Sequence, residues 1–130
     1  MNFAYTILYV QDVAASVAFY EQAFGLTRRF VHDSGEYAEM ETGATTLSFA
    51  SNALAESNLP EGFQQNRLSN PPAGIEIAFT TENVEAAFDR AVKAGATRVS
   101  PPQTKPWGQQ VAYVRDIDGV LVEIASPMSG

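Results

Sequence analysis

Apolar and polar positions along this chain switch between a period of two and a period near 3.6, and the switches mark its elements. Residues 4–10 form an apolar run with two tyrosines, which predicts a buried strand. Asp12 then supplies a helix cap. Val13, Val17, Tyr20 and Phe24 fall at helical spacing, Ala14, Ala15 and Ala18 favour the helix, and Gly25 stands where a helix stops. Three short strand-like runs follow at residues 27–32, 37–40 and 45–50, parted by Asp33-Ser34-Gly35 and by Thr42-Gly43.

Residues 51–74 carry Asn52, Asn58, Pro60, Gly62, Asn66, Asn70, Pro71 and Pro72, and read as a crossover linker too polar and too broken for a regular element. Beyond it the first pattern recurs. Residues 75–80 read as a strand, Asn83 caps, and Val84, Ala87, Phe88, Ala91 and Val92 make one apolar helical face that ends at Gly95. Strands at residues 97–100, 110–115 and 120–125 complete the second half, the last two joined by Asp116-Ile117-Asp118-Gly119. The repeat also shows by residue: Val13, Ala15 and Ala23 meet Val84, Ala86 and Ala94 at one offset, and one gap later Gly25, Thr27 and Arg28 meet Gly95, Thr97 and Arg98. An internal duplication follows, with module 1 at about residues 1–50 and module 2 at about 75–130. Two half-domains, each a small sheet backed by one helix, are expected to face each other across a concave space, and such a space is a ligand site by default.

Composition narrows the chemistry. The chain has 130 residues, 45% of them hydrophobic, which fits one domain. Eight Lys and Arg stand against 15 Asp and Glu, a formal charge of −7, so neither nucleic acid nor an anionic membrane is an expected partner. There is no cysteine and one histidine, His32. Thiolate chemistry is thereby excluded, as are the two-His, one-carboxylate iron site and the HExxH zinc site. Neither GxGxxG nor GxxxxGK[ST] occurs. The first ten residues lack a basic flank and a long apolar run, and no stretch approaches 18 apolar residues, so the expectation is a cytoplasmic protein without signal peptide or span.

Three segments carry a resemblance: YTILYVQDV from Tyr5, SVAFYEQAFG from Ser16, and RDIDGVLVEI from Arg115. With FYE-x-x-FG and RD-x-DG-x-x-VE in this order, the whole chain resembles the vicinal oxygen chelate superfamily of glyoxalase I, bleomycin resistance proteins, fosfomycin resistance proteins and extradiol dioxygenases. The resemblance implies an α+β fold of two tandem βαβββ modules, a curved eight-stranded mixed sheet around a cavity with one helix per module outside, and assembly as a homodimer. It also implies four metal-ligand positions. In this chain they hold Tyr5 where His or Gln is usual, Ser48 where Glu is frequent, Glu76 where His is usual, and Glu123, the usual Glu. Two carboxylates, a phenol and a serine make a poor set for a metal wanting three or four strong N/O ligands.

The leading expectation is therefore a metal-free small-molecule binding protein of the bleomycin-resistance type, with Tyr5, Ser48, Glu76, Trp107, Tyr113 and Glu123 at the ligand and no residue in a catalytic role. Two carboxylates in one dry space cannot comfortably both ionise, so a proton or a cation belongs between them, and a cationic or aromatic ligand is expected. Trp107, the single tryptophan, lies in the proline-braced loop 101–108, where it would act as a lid or anchor the loop or a dimer contact. Tyr113 matches a substrate-contacting tyrosine of the fosfomycin branch, while Tyr5, Tyr9 and Tyr113 also fit as ordinary sheet aromatics. Glu123 has the alternative of a pairing with Arg115, and His32 that of an exposed strand residue. Two rival readings remain open: a glyoxalase-like lyase, dioxygenase or transferase with Mn²⁺ or Mg²⁺ held weakly by Glu76 and Glu123, and metal-free proton transfer by either glutamate.

Overall fold

A computed structural model of the chain describes residues 1–128. The elements run β1 (Tyr5–Val10), α1 (Val13–Phe24), β2 (Thr27–Val31), β3 (Tyr37–Glu41), β4 (Thr46–Ser51), α2 (Asn52–Asn58), β5 (Glu76–Thr80), α3 (Val84–Lys93), β6 (Thr97–Thr104), β7 (Gln110–Arg115) and β8 (Leu121–Ala125). The eight strands fall into two four-stranded mixed sheets with matching orders, β1-β4-β3-β2 and β5-β8-β7-β6. In each, the first strand runs parallel to the last and the other pairs are antiparallel, so the fold is α+β, built of two tandem βαβββ modules. By their contacts the residues form two compact units, Met1–Glu21 with Gly25–Gln65, and Gln22–Phe24 with the chain from Asn66 onward.

Local chemistry explains the helices. At α1 the Asp12 carboxylate accepts from the Ala15 amide at 3.0 Å, and Gly25 ends the helix in the left-handed region at φ 69°, where a Cβ would be penalised. Asn83 caps α3 in the same way through the Ala86 amide. The third helix, α2, corrects the reading of residues 51–74 as wholly irregular: the Ser51 hydroxyl accepts from the Leu54 amide at 3.1 Å and Ala55 is buried. One cap and one buried alanine suffice for a helix this short, and neither gives an apolar period.

Each sheet has one face on a helix and one face open. In the first unit Val17 and Tyr20 of α1 are fully buried, Tyr20 lies against Phe49 with ring centroids 5.0 Å apart, and Val10 and Met40 complete that core. In the second, α3 contributes Val84, Phe88 and Ala91 and the sheet contributes Val114, Val122 and Ile124. A fully buried side chain of this size stabilises by about 1.5–3 kcal/mol, so these helix-facing layers hold the modules together.

β6 is longer than its apolar run predicts and takes in Pro101 and Pro102. It is an edge strand, and its pairing with β7 breaks register between Ser100 and Gln103. Prolines, lacking an N–H, are tolerated at such a bulged edge. The expected loop 101–108 thus shrinks to a hairpin tip, closed by the Lys105 amide on the Gln109 carbonyl and the Gly108 amide on the Lys105 carbonyl, both at 2.8 Å. Among the described residues, no helix is long and apolar enough to cross a membrane.

Candidate functional site

The open face of the second unit follows from strand alternation and register. Tyr113 lies opposite Glu123 across β7 and β8, and Ala78 lies opposite Glu123 across β8 and β5. Glu76 is two residues from Ala78 and shares its face. Glu76, paired with Leu121, is thus the diagonal neighbour of Glu123 on that face, and each carboxylate acts on the other. The Tyr113 hydroxyl donates to Glu123 Oε1 at 2.8 Å.

The electrostatics of this group are one-sided. Burial, then the interaction with the neighbouring Glu123 carboxylate, holds Glu76 above the usual carboxylate range, although its residue as a whole remains exposed. The Tyr113 phenol is pushed up to about 12, chiefly because its proton is bonded to Glu123, with burial and the nearby negative charges adding to that. Among the described residues no ion pair reaches Glu76 or Glu123. Arg115 occupies the same face, yet it does not pair with Glu123. Its guanidinium is spent on the carbonyls of Gly119, Leu68, Arg67 and Asn70.

The open face of the first unit holds the corresponding positions and fills them differently. Tyr5 lies opposite Thr46, and Ser48 lies opposite both Ile7 and Glu39. Tyr5 is 51% exposed, whereas Ser48 is fully buried. The Tyr37 hydroxyl reaches Glu39 Oε2 at 2.9 Å and Ser48 Oγ at 3.1 Å. A phenol has one proton; the carboxylate takes it, and Ser48 donates to the phenol oxygen. Burial is the main cause that raises the Tyr37 pKa. Arg29, on the irregular stretch of β2 between Arg28 and Phe30, makes a two-pronged contact with Glu41 at 2.9 and 3.0 Å and reaches Glu39 and Thr46 at 3.2 Å each. It thereby neutralises both carboxylates of β3.

Sequence reasoning did not single out Arg29, Tyr37, Glu39 or Glu41. The signal was present in the period of two, which sets Tyr37, Glu39 and Glu41 on one face of β3. It gave no cue to Arg29, whose direction depends on the β2 irregularity. Trp107 lies at the β6–β7 hairpin tip, 61% exposed, its Nε1 donating to Gln109 Oε1 at 2.9 Å. His32 directly follows β2, and its Nδ1 accepts from the Ser34 amide at 3.0 Å.

These donors do not fit a resident divalent metal. Ser48 Oγ is buried and committed to Tyr37, Tyr5 offers a phenol, and among the described residues no three His, Cys, Asp or Glu side chains gather into a ligand group. What Glu76, Glu123 and Tyr113 can do is hold a proton between two carboxyls or exchange it for an external cation.

The sequence matches the family model described as Glyoxalase/Bleomycin resistance protein/Dioxygenase superfamily over residues 2–124. The uncharacterized protein YraH of Bacillus subtilis (strain 168) is 28% identical over 118 residues, which cover 90% of this chain and 91% of that protein. Among solved structures, a glyoxalase-related enzyme from Fulvimarina pelagi aligns with a TM-score of 0.82 at 24% identity, covering 95% of this chain and 86% of that one. A glyoxalase/bleomycin resistance protein/dioxygenase family enzyme from Burkholderia phytofirmans PsJN aligns with a TM-score of 0.84 at 20% identity over 97% and 98% of the two chains. At such identities these two structures speak for the fold alone. With the family match spanning nearly its whole length, the chain belongs to the glyoxalase/bleomycin resistance protein/dioxygenase superfamily.

Proposed function

We propose that the protein is a small-molecule binder of the bleomycin-resistance type, which takes an organic cation through an ammonium or guanidinium group at Glu76 and Glu123, with no resident metal and no bond made or broken. The observation that carries this reading is the pair of carboxylates, diagonal neighbours on one face and reached by no basic side chain among the described residues. A proton shared between them is a poor substitute for a cation with several N–H donors, because a carboxylate pair offers more acceptor sites than one proton satisfies. Tyr113 fixes one oxygen of Glu123 through its hydroxyl. Trp107, in the same unit, supplies exposed aromatic surface suited to the apolar part of a ligand. As the family resemblance implies, the protein assembles as a homodimer, which light scattering on the eluting protein would check, and its expected compartment, from the apolar pattern of the sequence, is the cytoplasm.

Thermal shift tests the reading. Melting temperature is measured with 2-phenylethylammonium and benzamidinium, with the neutral 2-phenylethanol, with the anion phenylacetate, and with Mn²⁺ or Mg²⁺ alone. A ligand that binds only the folded state raises the midpoint by mass action. The expected result is a saturable rise with the organic cations that is absent for the alcohol and the anion. A rise with Mn²⁺ alone, lost in Glu123→Gln, would replace this reading with a carboxylate metal site.

A further inference from the structure

The RD-x-DG segment is the most distinctive motif of the chain, and the proposed binding uses none of its first five residues. In the structure it forms the β7–β8 turn. Asp116 shapes this turn by accepting from the amides of Asp118 and Val120, both at 2.9 Å, while its own amide donates to the Val120 carbonyl. Arg115 is turned to a separate task. Its Nε donates to the Gly119 carbonyl at 2.9 Å, Nη2 to the carbonyls of Asn70 at 2.7 Å and Arg67 at 3.1 Å, and Nη1 to that of Leu68 at 3.3 Å. Three of the four acceptors belong to the segment 67–70. Gly119 completes the fit: its φ is 94°, and a Cβ there would come within 2.6 Å of Arg115 Nη2 and 2.9 Å of the Arg67 carbonyl.

We propose that Arg115 and Gly119 are a latch that straps the segment 67–70 to the β7–β8 turn and thereby fixes the start of β5, making Arg115 a positioning residue for Glu76. The geometry makes the consequence specific. β5 is an edge strand paired with β8, and Glu76 is its first residue, six positions after the latched Asn70. Residues 71–75 between them are exposed. Without the latch, little except the β8 ladder would set where the strand begins, and edge ladders open first. The arginine suits this task because its planar fork satisfies several carbonyls at once, which lysine cannot do.

Limited proteolysis reads the latch directly. Arg67 and Leu68 are exposed, so trypsin meets a bond that is reachable but tethered. In Arg115→Met and in Gly119→Ala, cleavage after Arg67 is expected to accelerate about tenfold or more, with cleavage after Arg90, Lys93 and Arg98 unchanged. Arg115→Lys should restore part of the resistance. In the same variants, amide exchange in β5 should rise while exchange in α3 and β7 stays as in the parent. Unchanged cleavage after Arg67 would overturn the latch, and faster cleavage with β5 exchange unaltered would overturn its link to Glu76. Acceleration at every site together, in both variants, would make Arg115 a general stabiliser and also end the proposal. The inference needs no ligand: failure of every cation to bind would end the proposed function and leave these rates untouched.

Discussion

The two modules share strand order and face assignment, and they differ in how their open faces settle charge. On the first, Arg29 gathers Glu39 and Glu41 while Tyr37 bridges Glu39 and Ser48, so each carboxylate of that face has an internal partner. On the second, Glu76 and Glu123 meet, among the described residues, each other and the Tyr113 phenol, and the nearby arginine is occupied by peptide carbonyls. One module thus has a face whose carboxylates are met by its own arginine and tyrosine, and the other a face whose carboxylates meet no basic side chain among the described residues. The proposed cation binding rests on this difference.

The largest expected effect comes from breaking the closed face. Arg29→Met would strand Glu39, which is 9% exposed, without its cation, and should lower the thermal midpoint further than the loss of either tyrosine hydroxyl. Arg29→Lys should recover only part of the loss, because an ammonium cannot reproduce the two-pronged contact with Glu41. The double variant Arg29→Met with Glu39→Gln should regain stability over the single one, which a double-mutant cycle would read.

Next in size is the response to pH, where the modules should behave oppositely. Glu41 is held below its ordinary value of 4.5 by its hydrogen bonds to Arg29, so its contribution is present above that value and lost as pH falls through the lower folded one. Glu76 is raised, so its contribution is complete below 4.5 and lost as pH rises through the higher folded value. Acid should therefore loosen the first face and relax the second. Glu76→Gln removes the second contribution, so its stability relative to the parent should increase between pH 4 and pH 7, as denaturant titrations at the two pH values would record.

Smaller effects belong to the tyrosines. Tyr113→Phe removes one hydrogen bond at a half-buried site, a loss of about 1 kcal/mol, and should abolish the phenol ionisation near pH 12 in an ultraviolet titration. Tyr37→Phe should cost a similar amount and leave ligand binding unchanged, since its hydroxyl serves the closed face.

Much of this architecture was legible where one residue decides one feature. Asp12, Gly25 and Asn83 announced both long helices, and the recurrence of strand, helix and three strands gave the module order. Features depending on context were harder to read. The extension of β6 through two prolines requires knowing that the strand is an edge, and α2 rests on a single serine cap. At the site, Glu76 and Glu123 were recognisable by position, but their closeness depends on the β5–β8 register, which makes them diagonal neighbours. The pairing of Glu123 with Arg115 failed because four carbonyls outcompete one carboxylate for that guanidinium, and those carbonyls lie in a segment with no periodic pattern.

The central claim, that the second module leaves an acid pair for an external cation, is tested most directly by calorimetric titration of benzamidinium into the parent and into the Glu76→Gln, Glu123→Gln double variant at pH 7. Saturable binding to the parent, weaker by about tenfold or more in the double variant and with added salt, is the predicted result. Binding of equal strength to both proteins, or equally strong binding of phenylacetate to the parent, would contradict it.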